Sequence, residues 1–298
     1  MYKKMVKQWE FYVFLIPALL AVLFFNYLPM YGVQYAFKNL EFGTRIESTS
    51  WVGFYHFIRF FRSGWFLDII KNTVVLSLGT TIITWPFPII LGIMLHNCTN
   101  KGIKKFSQTA TYIPQLISIV VTVSIMNIML SRESGIVNIL LEKFGMESIA
   151  FFGSEKWVAP LYVISDLWQH MGFNAIIYMA ALSSVNPEVT EAGLIDGASK
   201  FQRIIYIDIP SIMPTIIYLL ILKCGSTFAI GPEKMLLLQT PLNIGAAEIL
   251  PTYVYKTGIL SGQYSFAIAI GLLSNLVNLM LLVIVNWIAK KKLDTSLF

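Results

Sequence analysis

Asp166, His170 and Asn174 stand at i, i+4 and i+8 within a run that is otherwise apolar. On a helix this spacing puts all three on one face. A carboxylate and an imidazole in contact can relay a proton. With an amide one turn further on, the same set offers donors and acceptors to a polyhydroxylated solute. An acid in such a run costs about 2.5–3.5 kcal/mol on insertion scales, so it calls for a partner. His170 is the nearest candidate and Lys223 is the second. A structural ion pair and a solute contact both satisfy the pattern. Trp168 falls on nearly the opposite face and need not join it.

Three further runs carry polar stripes: Thr73, Ser77, Thr80 and Thr84; Thr111, Gln115, Ser118 and Thr122; and Ser274, Asn275 and Asn278. Polar groups against hydrocarbon are costly, so such stripes face a cavity or another helix. Asp166, His170, Asn174, Thr80, Thr84, Ser118 and Asn278 are the candidate lining of a solute path. The apolar runs hold little charge, which favours a neutral solute.

Residues for other chemistries are absent from the sequence. There is no G-x-x-x-x-G-K-[ST] phosphate loop, so the chain is not expected to bind ATP. His56, His96 and His170 are scattered, with no metal-ligand cluster, and no Gly-x-Ser-x-Gly elbow occurs. Cys98 and Cys224 form no disulfide framework. No catalytic residue, metal or cofactor is expected on this chain, and any energy source belongs to a partner.

These residues must be positioned by membrane helices. The chain has 298 residues, 56% hydrophobic and 13% charged, with a net charge of +6. Its mean hydropathy is +0.68. That composition excludes a water-soluble domain, and the basic excess points to cytoplasmic anchoring rather than nucleic acid. Six stretches are long enough to cross about 30 Å of hydrocarbon: Phe11–Tyr31, Thr73–Leu95, Ile113–Leu130, Val158–Leu182, Ile212–Ile230 and Ser265–Ala289. The first follows Lys3, Lys4 and Lys7 and is read as an uncleaved span. No strand alternation competes. The expected architecture is an all-α integral membrane protein of six transmembrane helices, one domain over residues 1–298. Lysine and arginine density in the short loops puts both termini in the cytoplasm. Pro86 and Pro88 predict a kink or unwound turn in the second span. Phe54–Ile70 reads as an amphipathic interfacial helix, and Ile136–Phe144 as a short helix ending at Gly145.

The longest polar stretch of the C-terminal half is Pro187–Pro214, which this topology places in the cytoplasm. Asn186 can cap a helix opening with Pro187 and Glu188. Gly197 allows a tight turn, Phe201–Ile207 a second short helix, and Pro210 and Pro214 mark entry into the next apolar run. Glu191-Ala192-Gly193, three residues, Gly197, nine residues and Ile207-Asp208-Ile209-Pro210 resemble the EAA loop of binding-protein-dependent ABC import permeases. Gly193 stands for the third small residue of that signature and Ile209 for its Leu.

The resemblance extends over nearly the whole chain. Phe24 to Gly32, Ala36-Phe37-Lys38, Trp51 to Phe54, Asn72-Thr73, Tyr112-Ile113-Pro114, Thr252 to Tyr255, Gly262 to Ser265 and Ser296-Leu297 look like permeases for complex oligosaccharides in Gram-positive bacteria. It implies a MalF/MalG-like permease fold of the carbohydrate-uptake type in a bacterial cell membrane. It also implies a second homologous permease, giving a heterodimer, and an extracellular solute-binding protein that delivers an oligosaccharide. A dimer of ATP-binding subunits, holding ATP and Mg, would dock at the loop. By the same resemblance, ATP binding moves a coupling helix over about Pro187–Ala198 and switches the path between inward- and outward-facing states. Glu188, Glu191 and Asp196 are then ATPase-facing, Gly197 makes the turn, Ala192, Gly193 and Ala198 allow close packing, and Pro210 closes the motif. An ion- or proton-coupled secondary transporter using Asp166 and His170, a non-transport scaffold or sensor, and an ABC permease for a non-sugar solute are the alternatives.

Overall fold

The computed structural model describes residues 9–40, 49–228, 230–293 and 296–297. Lys3, Lys4 and Lys7 lie outside the described residues. Helices dominate, and the described residues contain no strand beyond an isolated bridge between Lys38 and Trp51. The chain divides into two compact units. One holds residues 1–64 and 254–273, the other 65–253 and 274–298.

In the first unit, helix Phe11–Phe37 is long and apolar enough to cross a membrane. No residue from Phe11 to Tyr31 is buried. After it, Phe37, Phe54 and Phe57 cluster, with ring centroids 5.5 to 5.7 Å apart. Arg59 stacks over Phe266 at 4.3 Å and donates to Gln263 Oε1 at 2.8 Å. The Phe54–Ile70 expectation is corrected here. The helix over Tyr55–Phe61 stops, a turn follows, and Phe66 opens a separate long helix. Gly64 lies in that turn.

The second unit is built around the 29-residue helix Glu155–Ser183, which packs against Phe66–Thr84, Pro86–His96, Lys101–Tyr112 and Ile209–Gly225. Two glycines permit these approaches. A Cβ on Gly172 would lie 2.1 Å from the Thr111 carbonyl oxygen, and one on Gly92 would lie 3.0 Å from Tyr178 Cβ. The second unit's buried apolar clusters include one of Leu76, Val123, Val158, Tyr162, Met235 and Leu238, one of Ile93, Tyr178, Leu182, Ile212 and Ile216, and one of Ile217, Ile221 and Ala289. The short helix Ile136–Lys143 forms as expected, and Gly145 follows it at φ +75°.

Among the described residues, four helices are long and apolar enough to span: Phe11–Phe37, Phe66–His96, Lys200–Gly225 and Tyr264–Lys291. At the prolines, Phe66–His96 is interrupted by a one-residue turn at Trp85, between helices ending at Thr84 and opening at Pro86, though Trp85 keeps helical dihedrals (φ −69°, ψ −41°) and donates to the Thr81 carbonyl. Pro86 and Pro88 sit at the start of a fresh helical segment, where a missing N–H is tolerated. Two expectations about spans need correction. Ile113–Leu130 is not one straight helix. Lys101–Leu116 and Ile119–Met129 meet at a 101° bend, where Ile117 is extended and Ser118 Oγ caps the second helix by accepting from Val121 N. Thr111, Gln115, Ser118 and Thr122 therefore do not share one face. Finally, Ile212–Ile230 begins earlier and ends earlier, as Lys200–Gly225. A π turn over Ile204–Asp208 precedes Pro210, whose missing N–H would leave a carbonyl one turn back unpaired.

Candidate functional site: a capped hairpin and a polar cavity

The hairpin is fixed by local chemistry at both turns. Asn186 Oδ1 accepts from Glu188 N at 3.1 Å, and Pro187 occupies the first helical position of Pro187–Ile195. The helix ends in a paired C-terminal lock: Ala198 N donates to the Gly193 carbonyl at 2.9 Å and Gly197 N to the Leu194 carbonyl at 3.1 Å. This geometry requires a left-handed residue, and Gly197 supplies it at φ +78°. Ser199 then opens the next helix with a reciprocal capping box to Gln202. Phe201–Ile207 is not a separate short helix, because its backbone runs on into the span that ends at Gly225.

Gly193, the departure from the motif, has a packing reason. A Cβ there would come 2.6 Å from Ile207 Cδ1 on the opposite arm. Glu188, Glu191, Ala192 and Asp196 stand on an arm with no buried residue, whereas Gly193 and Ala198 are half-buried. Val189, Leu194, Ile195 and Phe201 are exposed, Ile195 at 86%. Sequence reasoning missed what holds the hairpin's base. Asn97, at the end of Phe66–His96, donates to Asp208 Oδ2 at 3.1 Å and accepts from Arg203 Nη2. No periodicity signals a bond between residues so far apart.

The second assembly lies along Glu155–Ser183. Asp166, His170 and Asn174 line a cavity of about 370 Å³, together with Thr84, Trp85 and Lys223. A smaller cavity of about 180 Å³ shares Asp166, Lys223 and Ser226 and adds Ser77, Thr80 and Tyr162. His170 Nδ1 lies 3.3 Å from Asp166 Oδ1 and 3.0 Å from the Asp166 carbonyl oxygen. The cation nearest the carboxylate is not Lys223. It is Lys234, on helix Pro232–Leu238, with Nζ 3.8 Å from Asp166 Oδ1 and 5.0 Å from the centre of the Tyr162 ring. Lys234 is 4% exposed. It lies outside every apolar run, so hydropathy gave no reason to bring it to Asp166.

The remaining stripe residues divide. Thr80 and Thr84 return their hydroxyl protons to the carbonyls of Leu76 and Thr80, at 2.7 Å each, while lining the cavities. Thr73 accepts from Leu250 N at 2.8 Å, a packing contact. Ser118 and Asn278 line neither cavity: Ser118 is a helix cap, and Asn278 Oδ1 accepts from Phe228 N at 2.8 Å.

The chain is similar in sequence and in fold to known proteins. The chain is 38% identical over 288 residues to the polygalacturonan/rhamnogalacturonan transport system permease protein YteP of Bacillus subtilis, covering 97% of this chain and 90% of that one. It is 37% identical to protein LplB of the same organism, covering 96% and 90%. Among solved structures, a chain of a bacterial ABC transporter involved in the import of the acidic polysaccharide alginate superposes with a TM-score of 0.89. That chain is 34% identical, with 98% of each chain covered. A chain from the bacterial alginate ABC transporter, in complex with an alginate pentasaccharide-bound periplasmic protein, gives a TM-score of 0.90 at 33% identity, covering 100% and 99%. The family model of binding-protein-dependent transport system inner membrane components matches residues 88–294. The chain, with its all-helical permease fold and its capped hairpin, belongs to that family.

Proposed function

We propose that this chain is the membrane permease subunit of an ATP-driven ABC importer that takes up oligosaccharides handed over by an extracellular solute-binding protein. The observation that supports the ATP-driven reading is the hairpin. It is locked in shape by two caps, a left-handed glycine and Asn97, yet no residue of its first arm is buried. A rigid, exposed element with Ile195 outermost is built to fit into another protein. We assign that protein as a dimer of ATPase subunits, which hold the ATP and Mg, while this chain binds no cofactor. The sugar reading rests on the relatives named above and on the hydroxyl, amide and aromatic groups around Asp166.

In this reading the chain crosses the bacterial cell membrane six times, with both termini in the cytoplasm. The crossings are the four apolar helices, the bent pair Lys101–Leu116 and Ile119–Met129, and Glu155–Ser183, whose polar residues lower its hydropathy. They form one permease domain paired with a second, homologous permease, in a Gram-positive cell. Affinity capture of the tagged chain from its native membrane in mild detergent tests the assignment. Co-recovery of a second permease and a phosphate-loop ATPase is expected. Recovery of this chain alone, with uptake intact after reconstitution, would replace it with a secondary transporter relaying protons through Asp166 and His170.

A further inference from the structure

Asp166 is the one acid among the described residues lining the two cavities, and it faces two lysines. Lys234 is enclosed behind it, nearly inaccessible, and takes up its charge at 3.8 Å. Lys223 is different. It is exposed, it lines both cavities, and no carboxylate among the described residues lies within 4 Å of it. The site is therefore left with one unmatched positive charge even when His170 is neutral. Such a charge, open to the cavities yet close to the apolar bundle, favours an anion beside it. Around Lys223 stand groups suited to a sugar ring: the Thr84 and Ser226 hydroxyls, the Asn174 amide and the Trp85 indole.

We propose that Lys223 receives a carboxylate of the solute, so that this permease carries oligosaccharides containing uronic acid residues. This inference rests on the sugar-import reading and narrows it. It reverses the neutral solute expected from the sparse charge of the apolar runs, because the fold collects those few charges at one place. Lys234 acts as a positioning residue: by neutralising Asp166 it keeps that carboxylate from repelling the solute and from capturing Lys223.

Direct binding to the purified permease complex, without its solute-binding protein, tests the assignment. The probes are trigalacturonate and trimannuronate, each beside its methyl ester, read by the change in tryptophan fluorescence. The native complex should bind at least one acid about tenfold more tightly than its ester, as expected for one charge pair in a partly desolvated site. Lys223→Gln should abolish that preference by weakening the acid alone, and Lys223→Arg should retain it. Persistence of the preference in Lys223→Gln, or equal loss of acid and ester, would overturn the proposal. Equal binding of acid and ester by the native complex would overturn it while leaving sugar import standing. Failure of all four probes to bind the native complex would remove both.

Discussion

Asn97 Nδ2 donates to Asp208 Oδ2 at 3.1 Å, joining the end of one membrane helix to the second arm of the hairpin, 111 residues away in sequence. Asp208 is buried, and the same Asn97 receives Arg203. Asn97→Ala removes both bonds and leaves a buried carboxylate short of a donor, a loss of about 1–3 kcal/mol. The expected outcome is a complex that still assembles but hydrolyses ATP with reduced uptake per ATP. A normal transport-to-hydrolysis ratio in that variant would remove Asn97 from coupling.

Asp166 and Lys234 should behave as a unit. Asp166→Asn leaves the Lys234 ammonium enclosed without its counter-charge, and losing one partner of a buried pair costs about 3–5 kcal/mol. The yield of folded complex in detergent should fall sharply. Asp166→Asn combined with Lys234→Met should recover most of it, since no lone charge remains. Additive damage in the double variant would show that the two do not interact, and a well-folded single variant with altered uptake would assign Asp166 to the solute alone.

Gly197 holds φ at +78° in the lock that ends the first hairpin helix. A side chain at that angle costs about 1–2 kcal/mol, and a β-branched one fits worse. Gly197→Val should loosen the turn without touching the membrane helices. ATP hydrolysis should then run uncoupled from uptake, with thermal stability of the membrane part unchanged. Full uptake by this variant would argue that the turn's geometry is immaterial.

In the first unit, His56 Nε2 lies 3.1 Å from the Lys38 carbonyl oxygen in a buried setting. Burial pushes the imidazole below its ordinary pKa; the bond to Lys38 opposes this, and the positive charge of Arg59 adds to it. The unfolded segment therefore binds a proton more readily than the folded one. Stability contributed here is present above about pH 6.5 and declines as the pH falls below it. Amide exchange over residues 49–61 should accelerate between pH 7.5 and 5.5, beyond the intrinsic pH effect. His56→Gln should show no such excess; an identical pH response in both proteins would contradict the account.

The hairpin was legible in the sequence because its determinants are local. Asn186, Pro187 and Gly197 each act within a few residues, so spacing alone placed them. The face shared by Asp166, His170 and Asn174 was equally plain, since helical periodicity carries it. Hydropathy failed where backbone chemistry overrides it. The run from Ile113 to Leu130 is apolar throughout, but Pro114 and the Ser118 cap turn it through 101°. Lys234 and Asp208 were out of reach for another reason. Their partners come from distant helices, and only the completed packing decides which charge meets which.

The backbone from Lys200 to Gly225 is one continuous helix, anchored at its base by Asn97 and carrying Lys223 near its far end. At 1.5 Å per residue, Lys200 and Lys223 are separated by about 35 Å of rod. A tilt of about 5° at the base would carry the ammonium sideways by roughly 3 Å, the difference between a formed and a broken ion pair at this scale. On the two proposals, the same piece of chain would serve as both drive shaft and ligand clamp. Release of the cargo would then need no separate signal, because a stroke that moves the hairpin would also withdraw the charge that holds it.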